Sequence, residues 1–321
     1  MIKFGIHTLK QLSPPGILKK IDQETNISIT LYDKVGGLPD GDRIAARILL
    51  RFADDRGAYK RTYSRRFEAF DRQVVRVLLE NRPPEALASP WLIHDTGVSD
   101  ARTSCDFFRS ITESHPGVEF HASDYDPEVF VIESNRINIT VNASGQLLEI
   151  VWPPFVFNII RSRGFLKHAR YYLYPLNHLI RLCLEWFPVR KMLKAYEAGS
   201  VQAKRMLLFC PEAVRLSQSD PRFHLTKHNL LDPSPFEKKL GVLRAMNVLN
   251  PSYFTEREMG AILGNIFEAL DEGGCFITGS NQDSESIVHG AVYQKRNQGF
   301  NLLMQSGDGP AIHERIVSIR P

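Results

Sequence analysis

Trp91-Leu92-Ile93-His94-Asp95-Thr96-Gly97-Val98-Ser99-Asp100-Ala101 is the stretch on which the fold turns. Its first half is a short apolar run that begins after Pro90 and ends in an acid. That pattern predicts a buried strand over 91–95, bounded by proline. Thr96 to Asp100 has one glycine and no apolar period, which predicts a turn. From Ala101 to Ser114, Phe107, Phe108 and Ile111 recur at helical spacing. Pro116 and Gly117 break that helix, and Val118 to Asp124 reads as a second strand. Strand, turn, helix and strand in roughly 35 residues make a βαβ unit.

Upstream, residues 1–88 read as a helical leader. Ile44, Ile48 and Phe52, then Phe67, Phe70, Val74 and Val77, keep helical spacing, and Pro83 and Pro84 close the region. Downstream, two β-rich runs within Ile137–Val151 flank Asn142-Ala143-Ser144-Gly145 and predict a hairpin. Phe155 to Phe187 is rich in aromatic residues and is expected to be helical, interrupted at Pro175. Residues 136–200 are therefore expected to be an insertion within a sheet domain spanning 89–321. Beyond it, Ala203–Leu216 is expected as a helix despite Pro211, with strands over Phe223–Lys227 and Leu240–Met246. Thr255 to Leu270 predicts a helix. Thr255 and Glu258 give it a capping box, and Gly273 and Gly274 are expected to end it before a strand at Cys275–Thr278. Val292–Tyr293, Phe300–Met304 and Ile316–Ile319 suggest antiparallel strands. The fold class expected is α/β, a doubly wound Rossmann-like sheet with antiparallel C-terminal strands, a helical N-terminal leader and a mid-domain insertion.

Composition narrows the function classes. The net charge of +4 is mild, but Arg43 to Arg76 holds ten of the chain's basic residues against four acids. That stretch reads as a solvated helix face, the alternatives being contact with an anionic substrate or with nucleic acid, the latter not an expected partner. Cys105, Cys183, Cys210 and Cys275 form no C-x-x-C pair, which argues against a zinc site and a disulfide framework. No signal-like stretch or apolar window of spanning length occurs, so the expected localisation is cytoplasmic. His94, His121 and His224 lie in or beside strands and read as structural, and no metal is expected.

Ligands of open α/β sheets bind at the carboxyl ends of the strands. Gly97 would let backbone approach a ligand, and Asp95 or Asp100 could accept hydrogen bonds from an ammonium group. Asp124, ending the second strand, could accept two hydrogen bonds from ribose hydroxyls. This is the logic of an adenosine-bearing cofactor. The turn lacks the G-x-G-x-x-G fingerprint, and Asp100 would repel a pyrophosphate. The charge suits the cationic sulfonium and amine of S-adenosylmethionine better than NAD.

Asp95-x-Gly97-x-Ser99, followed by Ala122-Ser123-Asp124-Tyr125-Asp126-Pro127-Glu128-Val129, resembles the first two signature regions of class I S-adenosylmethionine-dependent methyltransferases. Later blocks look like the second half of the chemotaxis-receptor glutamate methyltransferases. They are Cys210-Pro211-Glu212-Ala213, His228 to Pro233, Val242 to Phe254 with its Asn247-Val248-Leu249 run and Tyr253-Phe254 pair, Leu270 to Gly274, and Gly279-Ser280. The resemblance covers about 91–135 and 206–281. It departs at Ala101, where the family has a glycine, and in lacking the glutamate-rich first motif. The resemblance implies Asp95 and Gly97 near the methionine part, Asp124 on the ribose, and His228, Asn229 and Leu230 beside the adenine. It implies Asn247 at the transferring methyl, with Ser99 and Tyr125 completing the cofactor set. Tyr253 and Phe254 would touch the acceptor or belong to the core.

The activity so implied is methyl transfer to an O, N or C nucleophile of a small-molecule or natural-product acceptor, with no catalytic base assigned. The alternatives are a protein or peptide acceptor, or a non-catalytic Rossmann-like module that acts through partners. The aromatic insertion is expected to be a lid. Plain core is an alternative, and so is a membrane-surface contact through 155–188, because Arg161, Arg163, Lys167 and Arg170 precede its apolar run.

Overall fold

The computed structural model describes residues 2, 4–22, 25–50, 63–82, 90–159, 175–281 and 287–319. Phe52, Pro83, Pro84, the basic residues of 51–62 and the aromatic and basic residues of 160–174 lie outside them. The chain divides into two compact units: Met1–Arg61 with Asp126–Pro211, and Thr62–Tyr125 with Glu212–Pro321.

In chain order the strands are β1 (Trp91–Thr96), β2 (Val118–Asp124), β3 (Glu128–Glu133), β4 (Asn138–Asn142), β5 (Leu147–Trp152), β6 (Phe155–Asn158), β7 (Ala203–Leu207), β8 (Phe223–Lys227), β9 (Leu240–Met246), β10 (Leu270–Ser280), β11 (His289–Arg296) and β12 (Gly299–Ser306). The second unit holds a seven-stranded sheet ordered β12-β11-β10-β9-β1-β2-β8. Its strands from β8 through β10 are parallel, and β11 and β12 complete it antiparallel.

The path from β1 moves outward to β2 and β8, then returns to the other side of β1 with β9. The helix Arg102–Ser114 links β1 to β2, and Glu256–Ala269 links β9 to β10. These crossovers run in opposite directions across the sheet, so right-handed connections put their helices on opposite faces. The side chains agree. Ile93, Phe120 and Phe223 share a register row, with Phe107 and Phe108 packed at steep ring angles against Phe120, and Phe108 also edge-on to Phe223. Leu243 and Phe276, one residue further along the register, point to the other face and pack with Ile262, Leu263 and Ile266. The sheet is doubly wound, as expected.

Several local expectations hold and several need correction. Thr255 caps its helix: its Oγ accepts from the Glu258 N–H at 3.3 Å, while Glu258 accepts from the Thr255 N–H at 2.8 Å. Gly273 and Gly274 do not precede the next strand. They sit inside β10 at a register shift between Leu270 and Cys275, with Gly273 at φ 77°. Ile316–Ile319 is not a strand, because His313–Ser318 is a helix whose Ile316 packs in the core with the preceding cap residue Ile312. The leader is not one element either. Its helix Glu68–Glu80 belongs to the second unit, where Asp71 reaches Arg244.

The first unit is built on an antiparallel sheet ordered β6-β5-β4-β3-β7. Alternation along β3 sends Val129 and Val131 to one face and Ile132 to the other. On the first face they meet Ile6, Ile29, Tyr32, Ile44 and Ile48 of the N-terminal segment. On the second, Ile132, Ile139, Ile150 and Phe157 pack with Leu184 and Val189. The predicted hairpin is β4–β5. Ala203–Leu207, expected as helix, is strand β7, and Pro211 opens the helix Pro211–Ser219. A proline in the first turn removes only an N–H that has no helical partner. Phe155–Asn158, expected as the start of a helix, is strand β6, and helical structure begins in the described residues at Pro175. Among the described residues no helix is long and apolar enough to cross a membrane.

Candidate functional site

The strand order reverses between β1 and β9, and the crevice beyond their carboxyl ends is where such sheets bind ligands. The turn after β1 is shaped by three left-handed residues in five: Gly97 (φ 67°), Ser99 (φ 60°) and Ala101 (φ 62°). A Cβ at Gly97 would lie 2.7 Å from Val248 Cγ2, so both the backbone angle and the space demand glycine. At Ala101 the conformation a glycine would favour is kept by an alanine, which is fully buried.

This turn is tied to the end of β2. The Ser99 N–H donates to Asp124 Oδ2 at 2.7 Å, and the Val98 N–H donates to the Ser123 carbonyl at 3.1 Å. The His228 N–H donates to the Asp124 carbonyl at 3.1 Å, which joins the segment after β8 to the same edge. Asp124 is half-buried and Tyr125 exposed. An ionised carboxylate offers about four acceptor positions, and Ser99 takes one at Asp124. The sequence-predicted Gly97, Ser99, Asp124 and His228 are therefore brought together. Nearby, Thr96 Oγ1, Ser99 Oγ and His228 Nδ1 are buried polar atoms without a hydrogen-bond partner. Such atoms are costly unless something fills them.

Asp95, expected beside the methionine part, is otherwise engaged. It is 1 % exposed, and its Oδ2 accepts from Ser104 Oγ at 2.7 Å and from Arg244 Nη1 at 2.8 Å. Arg244 Nη2 also reaches Asp71 at 3.1 Å, and the guanidinium lies 4.8 Å from the Phe107 ring centre. Burial pushes both carboxyls up, Asp71 to about 6, more than Arg244 pulls them down. For Arg244, burial works against the charge, and the two carboxylates outweigh it. Asp95 thus anchors the turn from below. Asp100, too, is buried, its carboxylate 3.5 Å from the Arg102 guanidinium and its Oδ1 accepting the Arg102 N–H.

The remaining expected residues divide. Asn229 Oδ1 accepts the Leu231 N–H at 3.1 Å, a local turn. Leu230 packs in the core, and its carbonyl is held by Asn265. Asn247 (φ 59°) accepts the Asn281 N–H on Oδ1 at 3.1 Å, so its side chain links the ends of β9 and β10. Phe254 packs against the core, and Tyr253 is half-buried. Sequence reasoning missed Thr96, Asn281 and Arg66, whose Nε donates to Asn281 Oδ1 at 2.9 Å. It also missed Arg244, whose signal was available: a charge inside the buried run Leu240–Met246 demands a buried partner.

No family profile matches this chain, and no curated protein matches its sequence. Among solved structures it is similar to LepI in complex with SAM at 12 % identity, over 63 % of this chain and 30 % of that one, with a TM-score of 0.30. It is similar to an O-methyltransferase family protein from Burkholderia thailandensis at 15 % identity, over 66 % and 40 % of the two chains, with a TM-score of 0.26. It is similar to SAM-bound CalS10, an amino pentose methyltransferase from Micromonospora echinaspora involved in calicheamicin biosynthesis, at 10 % identity, over 74 % and 72 %, with a TM-score of 0.29. The chain spans less than half the length of the first two, at 30 % and 40 %.

Proposed function

We propose that the chain is an S-adenosylmethionine-dependent methyltransferase acting on a small-molecule acceptor. The observation that carries this reading is the bond from the Ser99 N–H to Asp124, with Thr96 Oγ1, Ser99 Oγ and His228 Nδ1, at the end of β1 and on the segments that follow β1 and β8, left without partners. These groups suit an adenosine-bearing ligand with an amino-acid tail. Asp124, a carboxylate with about four acceptor positions, would hold the ribose hydroxyls. Thr96 and Ser99 would meet the amino-acid end, and His228 the adenine edge. Asp95 acts on the site through Ser104 and Arg244, and Asn247 through Asn281. The donor supplies a methyl already activated by its sulfonium. What the protein adds is position: an acceptor held about 3 Å from that carbon, in line.

The acceptor class follows the absent glutamate-rich motif, which removes the support for a protein-glutamate acceptor. A protein acceptor rests only on the chemotaxis-like blocks after residue 206. Incubation with methyl-labelled donor, a panel of small nucleophiles and a protein extract separates the two. Label in a low-mass product is expected, and label only in protein would favour the alternative. Transfer to neither class, with the donor bound, would leave a binding module in place of an enzyme.

A further inference from the structure

We propose that Glu119, His121 and His224 form a binding site for a divalent transition-metal ion, zinc in type, on one face of the seven-stranded sheet at its β2–β8 edge. One ligand atom from each residue lies within 4.8 Å of the others. The register explains why. His121 on β2 is paired with His224 on β8, and Glu119 precedes His121 by two residues, hence on the same face. The two imidazoles stack with centres 4.5 Å apart, and Glu119 Oε1 lies 3.2 Å from His121 Nε2. His121 Nδ1 is buried without a partner.

Two imidazoles and a carboxylate are a zinc donor set with a fourth position left for water. The metal–ligand distance of about 2.0–2.2 Å requires only side-chain rotation here, since Glu119 is 45 % exposed at its side chain. Phe236 covers the inner side, its ring 4.7 Å from that of His121. The ion would clamp edge strand β8 to β2, two elements distant in sequence. Linear spacing hides the set, because it is made by register between strands.

The test is calorimetric titration of untagged, metal-stripped full chain with zinc chloride, repeated with cobalt chloride while visible absorption is recorded. One equivalent should bind, with the cobalt form giving the d–d bands of a four-coordinate N/O site. His224→Ala should weaken binding by more than the roughly 10–100-fold that loss of a supporting group costs. Glu119→Gln, on an exposed side chain, should weaken it about tenfold while the metal-free melting temperature stays at the parent value. Zinc binding that is absent from the parent, or unchanged in both variants, would overturn the site.

Discussion

Each unit of this chain buries a carboxylate completely, and the two are kept in different company. In the second unit Asp95 faces Arg244, which also holds Asp71. In the first unit Glu149, fully buried, faces only neutral donors among the described residues: Ser28 Oγ at 2.8 Å, the Ile29 N–H at 3.1 Å and Asn158 Nδ2 at 3.1 Å. Without a cation, burial drives the Glu149 pKa up to about 7, against the three donors. The contrast teaches that an acid's position along a strand does not assign its task. Asp95 lies one residue from the end of its strand, where a ligand-binding acid is expected, yet it belongs to a buried ion triad. Asp124, half-buried at the end of the next strand, is the one we propose as the ligand contact.

The contrast can be broken from either side. Arg244→Met leaves two buried carboxylates unpaired and should cost about 3–5 kcal/mol, read as a fall in the denaturant midpoint. A loss under about 1 kcal/mol would mean the triad is not holding charge. For Glu149, the folded chain keeps a proton between pH 4.5 and 7 that the unfolded chain has released. Stability from this group is therefore full below 4.5 and is lost as pH rises through 7, by on the order of 3 kcal/mol. Glu149→Gln should flatten that slope in denaturation curves taken at pH 5 and 8. An unaltered slope would place the titration elsewhere.

Smaller effects test the turn above Asp95. Asp124→Ala should weaken donor binding by about 1.5–3 kcal/mol per lost hydrogen bond, with a modest fall in melting from the lost Ser99 N–H bond. Ala101→Gly should leave stability within about 1 kcal/mol of the parent, because relief of the strain at φ 62° is offset by loss of a buried methyl and by the entropy of glycine. A loss of the roughly 2 kcal/mol or more that methyl removal and glycine entropy would bring unopposed would mean that the left-handed turn is not the resting conformation.

The βαβ unit was legible because its signals are local. β2, β8 and β9 have the limits their apolar runs give, and Thr255 with Glu258 marks a helix start without any tertiary help. β3 and β7 were not legible. Glu128–Glu133 begins and ends in acids, and Ala203–Leu207 carries Lys204 and Arg205, so each is recognisable only through its pairing with the other. At the site, Asp124 and Gly97 were readable from strand ends and turn chemistry. The commitment of Asp95 was not, since Asp71 and Arg244 come from segments far away in sequence. The same holds for Glu119, His121 and His224, which only the strand register brings together.

The most direct test of the central claim is calorimetric titration of the purified chain with S-adenosylhomocysteine and, separately, with NAD. The account expects S-adenosylhomocysteine to bind with a dissociation constant of about 1 μM or below, roughly −8 kcal/mol, and NAD to give no heat. Clear binding of NAD with none of S-adenosylhomocysteine would contradict it.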